Sequence, residues 1–327
     1  MILRPKSSPR HHGTLPGVAA AAPMTAVPGW LRRAVADMKE LAGKDLEDIA
    51  ITAGAAIGAL DGVVRRQERW SGAWRQRLAL SAAAATAKQA GRVEDESALR
   101  DAVLLTRPGD FLSVGPAGSM LLAWRRLAST PAENLLTEAS IGAVLDDLGL
   151  RRDDEAVRDL ADDLRQLSAG IGMVGMLTGA FMTAERHGLG RALGLGPRVP
   201  LLGAEAALGP SARPRRSVAS SVATSIATDP ERAKGLLAAQ ARAALRAIDL
   251  SAELERRADR LLAVAPKLRA KASDAVVDKL LSDDAIAASE NIAGMSDRGL
   301  RRLFDRLVEL RAVRELSGRT TFRMYGL

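Results

Sequence analysis

The chain of 327 residues contains no cysteine. Disulfides, thiolate nucleophiles and cysteine-ligated zinc are therefore excluded. Histidine occurs only at His11, His12 and His187, and the first two lie in a Pro-, Ala- and Ser-rich start. A histidine triad or metal centre has little to draw on, so no catalytic residue, metal or cofactor is assigned and the chain reads as a non-enzyme. Aromatic residues make up 3% of the chain, too few for the stacking platforms that hold single-stranded nucleic acid. Gly115 to Ser119 is glycine-rich but lacks the Lys-Ser/Thr of a phosphate loop and is expected to start a helix carrying Trp124. The start of the chain has no apolar signal-peptide core, because Pro16 and Pro23 interrupt its alanines. Met24 is an alternative start codon, and a cytoplasmic location is expected.

Long apolar runs are equally scarce. Only Gln166 to Ala184 is uncharged over a length near the ~20 residues of a membrane span, and Gly170, Gly172, Gly175 and Gly179 interrupt it. A buried core helix is expected there, with His187 at its exit as a surface or capping residue. What the chain does have is charge and helical periodicity. Lys and Arg number 47 against 39 Asp and Glu, a net charge of +8. That balance suits an anionic partner, although a GC-rich coding bias toward Arg and Ala produces the same excess.

The apolar spacing predicts helices over Trp30–Leu41, from an Asp45 cap to Arg66, over Trp70–Ala90, Leu99–Leu105, Met120–Leu127, Pro131–Leu148 and Asp153–Leu167. Glu94-Asp95-Glu96 is read as the favourable acidic first turn of a helix rather than as an acid–base pair. Residues 197–228 turn Pro/Gly-rich and then Ser/Thr-rich. Asp229-Pro230 opens a helix that runs to Val264, about 50 Å if it is not restarted at Ser251.

Asp274 to Leu327 carries the only specific signal. A short helix bears Val276, Val277, Leu280 and Leu281. A second is expected over Ala285–Ala293, around Ile286 and Ile292, and Gly294-Met295 forms the turn. Ser296 caps a third helix in which Leu300, Leu303, Phe304, Leu307 and Leu310 share one face. Arg298, Arg301, Arg302 and Arg306 fall outside that face, the charge layout of a recognition helix in a major groove. Alternation on both sides of Ser317-Gly318 predicts a terminal β-hairpin with Arg319 at its tip. This order is that of a winged helix-turn-helix. An arginine-faced helix is also commonly just a solvated one, and winged modules also join proteins to proteins, so both readings stand side by side.

The stretches LRDAVLLTRPGD (Leu99–Asp110), GPAG (Gly115–Gly118), LLAVAPKLRAK (Leu261–Lys271) and RRLFDRLVELRAVRELSGRTTFRMYGL (Arg301–Leu327) resemble an uncharacterised bacterial family, domain of unknown function 1403. The resemblance covers roughly Asp45 to Leu327 and implies one evolutionary unit without assigned activity. Two departures stand out: Arg311 where the family tends to have Gly, and Gly299 where it tends to have Ala.

The expected architecture is mainly α. A tail over 1–29 precedes a helical bundle over 30–207. A linker over 208–228 and a long helix with a basic bridge over 229–271 lead to a winged helix-turn-helix over 272–327. The expected function is a DNA-binding protein, a transcription regulator whose Ser296, Arg298, Arg301, Arg302, Arg306 and Arg319 meet double-stranded DNA. The bundle would serve a homodimer or a protein partner, with no membrane association. The alternative is a helical interaction scaffold that binds no nucleic acid.

Overall fold

In a computed structural model, the structure describes residues 27–36, 45–106, 114–150, 153–170, 230–268 and 272–327, with 179, 180, 183, 186 and 187 besides. The linker over 208–228 and most of the uncharged run over 166–184 lie outside the described residues, as do residues 1–26 of the expected tail. Val27 is already buried, and Gly29 opens the first helix.

Ten α-helices are present among the described residues. The first seven are α1 (Gly29–Ala36), α2 (Leu46–Arg65), α3 (Ser71–Gln89), α4 (Glu96–Leu104), α5 (Gly115–Ser129), α6 (Glu138–Asp147) and α7 (Asp154–Gly170). After them come α8 (Pro230–Val264), α9 (Ser273–Ser282) and α10 (Asp297–Glu309). The helix starts follow local chemistry. Asp95 accepts from the Ala98 N–H at 2.8 Å as the cap of α4, so the acidic run there is a helix start. Pro131–Leu148 is not one helix. A 3₁₀ turn over Ala132–Asn134 comes first, and α6 starts anew where Thr137 accepts from the Ser140 N–H.

The spine is α8, unbroken over 35 residues, or about 50 Å. Ser251 does not restart it, because that side chain is buried within the helix. A 3₁₀ turn over Ala265–Lys267 containing Pro266 follows its end. Against α8 pack α1, α2, α3 and α9. The facing surfaces are alanine-rich: Ala53, Ala56 and Ala73 from one side, Ala238, Ala241, Ala244 and Ala247 from the other. Small side chains let the backbones approach, and Trp70 and Trp74 fill the space they leave. Trp74 Nε1 donates to the Ala247 carbonyl at 2.9 Å, so its one polar atom is satisfied inside the core. A smaller core joins α3, α4 and α5 through Leu80, Ala83, Leu99, Ala117 and Leu121. No helix among the described residues is long and apolar enough to cross a membrane.

The C-terminal segment departs from expectation in one element. Ala285–Ala293 is not a helix: Ile286–Ala287 is a short strand, β1, followed by turns. With β2 (Arg314–Glu315) and β3 (Met324–Gly326) it forms an antiparallel sheet in the order β1-β3-β2. Ile286 pairs with Tyr325 and Ala287 with Met324, while Arg314 pairs with Gly326 and Glu315 with Tyr325. Two causes favour the strand. β-Branched Ile286 is wholly buried against the sheet. Asp284 just before it is pulled inward by partners distant in sequence. Gly326 fits the central strand because a Cβ there would lie 2.5 Å from the Asp284 carbonyl oxygen. The hairpin expected around Ser317-Gly318 is present with a short ladder.

Candidate nucleic-acid interface

α10 is built as its sequence pattern requires. Ser296 is extended and accepts from the Gly299 N–H at 3.2 Å, capping the helix. Leu300, Leu303, Phe304 and Leu307 are buried. Phe304 stacks on Tyr325 of β3, ring centroids 4.3 Å apart and planes 9° from parallel, which fixes the helix against the sheet. At about 100° per residue, Arg298, Arg301, Arg302 and Asp305 form a stripe diametrically opposite this buried face. All four are exposed. Among the described residues, Arg298, Arg301 and Arg302 have neither a hydrogen bond nor an ion pair.

The other two expected contact arginines are engaged by the protein itself. Arg306 donates to Glu309 at 2.6 Å, and both side chains are exposed; such a pair contributes little and yields to a competing anion. Arg319 is not at a free tip, since it forms an ion pair with Asp101 on α4. The wing is thereby tied back to the helical bundle. α10 as a whole carries four arginines against Asp297, Asp305 and Glu309, so its free positive charge lies in its first two turns. The loop between β2 and β3 presents Phe322, 66% exposed at φ +53°.

Arg311 stands in the left-handed region at φ +54°. Its N–H donates to the Val308 carbonyl and the Ala312 N–H to the Leu307 carbonyl, both at 2.9 Å. These two bonds are the Schellman ending of a helix, completed here by arginine in place of glycine.

Sequence reasoning missed the residues that hold the module in place. Asp284 is 1% exposed. Arg77 of α3 pairs with it, and Arg100 of α4 donates to it through Nε at 2.6 Å and Nη2 at 3.3 Å. Burial by itself raises the pKa of this carboxyl group, but the two guanidiniums outweigh that and hold it below the ordinary carboxylate value. Arg125 of α5 lies within electrostatic range of Asp284, and burial lowers its pKa. Close by, Gly72 at the start of α3 would place a Cβ 2.6 Å from the Ser282 Cα at the end of α9. The only signal for this junction in the sequence was indirect. Arg100 and Asp101, which reach Asp284 and Arg319, sit side by side in the stretch LRDAVLLTRPGD.

A family model described as a protein of unknown function, DUF1403, matches residues 18–327. No curated protein and no solved structure matches.

Proposed function

The chain belongs to the DUF1403 family of proteins of unknown function, and we propose that it is a DNA-binding regulator that reads duplex DNA with the arginine stripe of α10. The observation that carries this reading is the exposure of Arg298, Arg301 and Arg302 on the first two turns, opposite a fully buried face and free of acidic partners among the described residues. Recognition helices address base edges from their N-terminal turns, and a guanidinium fork matches the N7 and O6 acceptors of guanine. The sheet order β1-β3-β2, with α10 between β1 and β2, supports a winged arrangement in which a strand and turns occupy the place of the middle helix. Ser296 holds the start of α10, Arg306 becomes available once Glu309 is displaced, and Arg319 joins only if the wing leaves Asp101.

Fluorescence anisotropy with random-sequence duplex DNA tests this reading. Three phosphate-neutralising arginines give a slope of log K against log salt of about −3. Charge reversal in Arg301→Glu with Arg302→Glu is expected to remove binding without unfolding the protein. Absence of binding at low salt, or indifference to the double reversal, overturns the reading. The exposed Val308, Leu310 and Phe322 favour the second reading, a protein-interaction scaffold. That reading is selected if DNA is not bound and a protein partner is lost on Phe322→Ser.

A further inference from the structure

The buried charges at the junction of α3, α4 and α5 with the C-terminal module do not balance. Asp284 contributes one carboxylate with no exposed side-chain surface, and Arg77 and Arg100 both pair with it. Arg125 brings a third guanidinium into range of Asp284 and Arg100. Its Nε is buried and has no hydrogen-bond partner. The neighbouring carboxylate, Asp283, is paired with Lys279 at 2.8 Å and does not make up the deficit. Three cations thus face one anion.

Arginine stays charged under all ordinary conditions. A buried N–H on a cation with no acceptor is costly, and unpaired charge in a poorly solvated place is costlier. Such a site is stabilised by an anion that brings both charge and acceptors. Access is from the side of Arg125 and Arg77. Arg77 keeps 14% of its side-chain surface and Arg125 is half-buried, whereas Arg100 keeps 8%.

We propose that this junction is a binding site for a phosphoryl-type oxyanion, with Arg125 as its principal donor and Arg77 as its second. Asp284 anchors Arg77 and Arg100 and so presents the fork of Arg77 toward the ligand. Two oxygens of a tetrahedral phosphoryl group match one guanidinium bidentately, and Arg125 brings donors that no protein group uses. The shared chemistry fits free phosphate and a phosphate monoester alike. The site shares no residue with the α10 stripe, so its failure and the failure of the DNA reading are separate events.

The full-length protein is titrated with inorganic phosphate, and separately with phosphoserine as a monoester, against sodium chloride at matched ionic strength. Saturating phosphate is expected to raise the Tm by on the order of 3 °C over chloride. Arg125→Met is expected to abolish that rise while keeping the far-ultraviolet circular dichroism. A larger rise with the monoester assigns the site to an esterified ligand, and equal rises assign it to free phosphate. No phosphate-specific rise in the wild type, or the same rise in Arg125→Met, overturns the proposal. Should that variant fail to fold, the Arg125 Nε–H resonance of the wild type is followed by nuclear magnetic resonance. It must shift with phosphate and not with chloride, and a resonance that stays in place overturns the proposal equally.

Discussion

Arg311 holds its helix end in a conformation that side-chain-bearing residues avoid. Both bonds of the Schellman ending are made, so glycine loses nothing there and escapes the steric cost of the left-handed region, about 1 kcal/mol. Arg311→Gly is therefore expected to stabilise the protein by about that amount, read as a higher urea midpoint at unchanged m. Asp284 is the opposite case, because removing its charge leaves Arg77 and Arg100 buried without compensation. Asp284→Asn is expected to cost about 3–5 kcal/mol, again by urea denaturation. The pH dependence has a definite sign. The carboxyl group titrates lower in the folded chain than in the unfolded one. Its contribution is thus complete above the unfolded value, near 3.9, and is lost as the pH falls through the folded value. Wild-type stability is expected to fall below about pH 4, and Asp284→Asn should lack that component of the fall.

At the scale of elements, the caps and apolar faces were legible because they are local. Asp95 and Ser296 cap the helices their positions suggested, and the apolar face of α10 is the one its spacing marked. The segment Ala285–Ala293 was misread because a short apolar run fits helix and strand alike. Its outcome rests on Tyr325 and Met324, nearly forty residues downstream, and on Arg77 and Arg100 far upstream. The wing was legible as a hairpin, but its restraint was not, since Asp101 lies 218 residues before Arg319 in the chain. Asp101→Asn weakens that restraint. On the DNA reading it is expected to add one phosphate contact and steepen the salt slope by about 1, measured by the same anisotropy titration.

Across the whole molecule, one contiguous core runs from Val27 and Leu31 through Trp74, Leu254 and Leu261 to Phe304, Tyr325 and Leu327. Arg257 of α8 donates to the Leu327 oxygen at 2.9 Å, so α8 holds both ends of this core. A fragment of residues 272–327 would expose the face that rests on α3 and α8 and leave Asp284 without its arginines. It is expected not to fold alone, showing poorly dispersed amide resonances and no cooperative thermal transition.

Much was settled by the chain's own local patterns: the predominance of helices, the position of most of their starts, the long spine, and a C-terminal helix with one apolar and one arginine-rich side. Those features depend on contacts within four residues or so and on composition, which a linear reading contains. Which arginines stay free was decided only in three dimensions. Arg298, Arg301 and Arg302 are chemically identical to Arg319, Arg77 and Arg100. Only the folding of distant helices onto the C-terminal sheet brings Asp101 and Asp284 to the latter and leaves the former facing water.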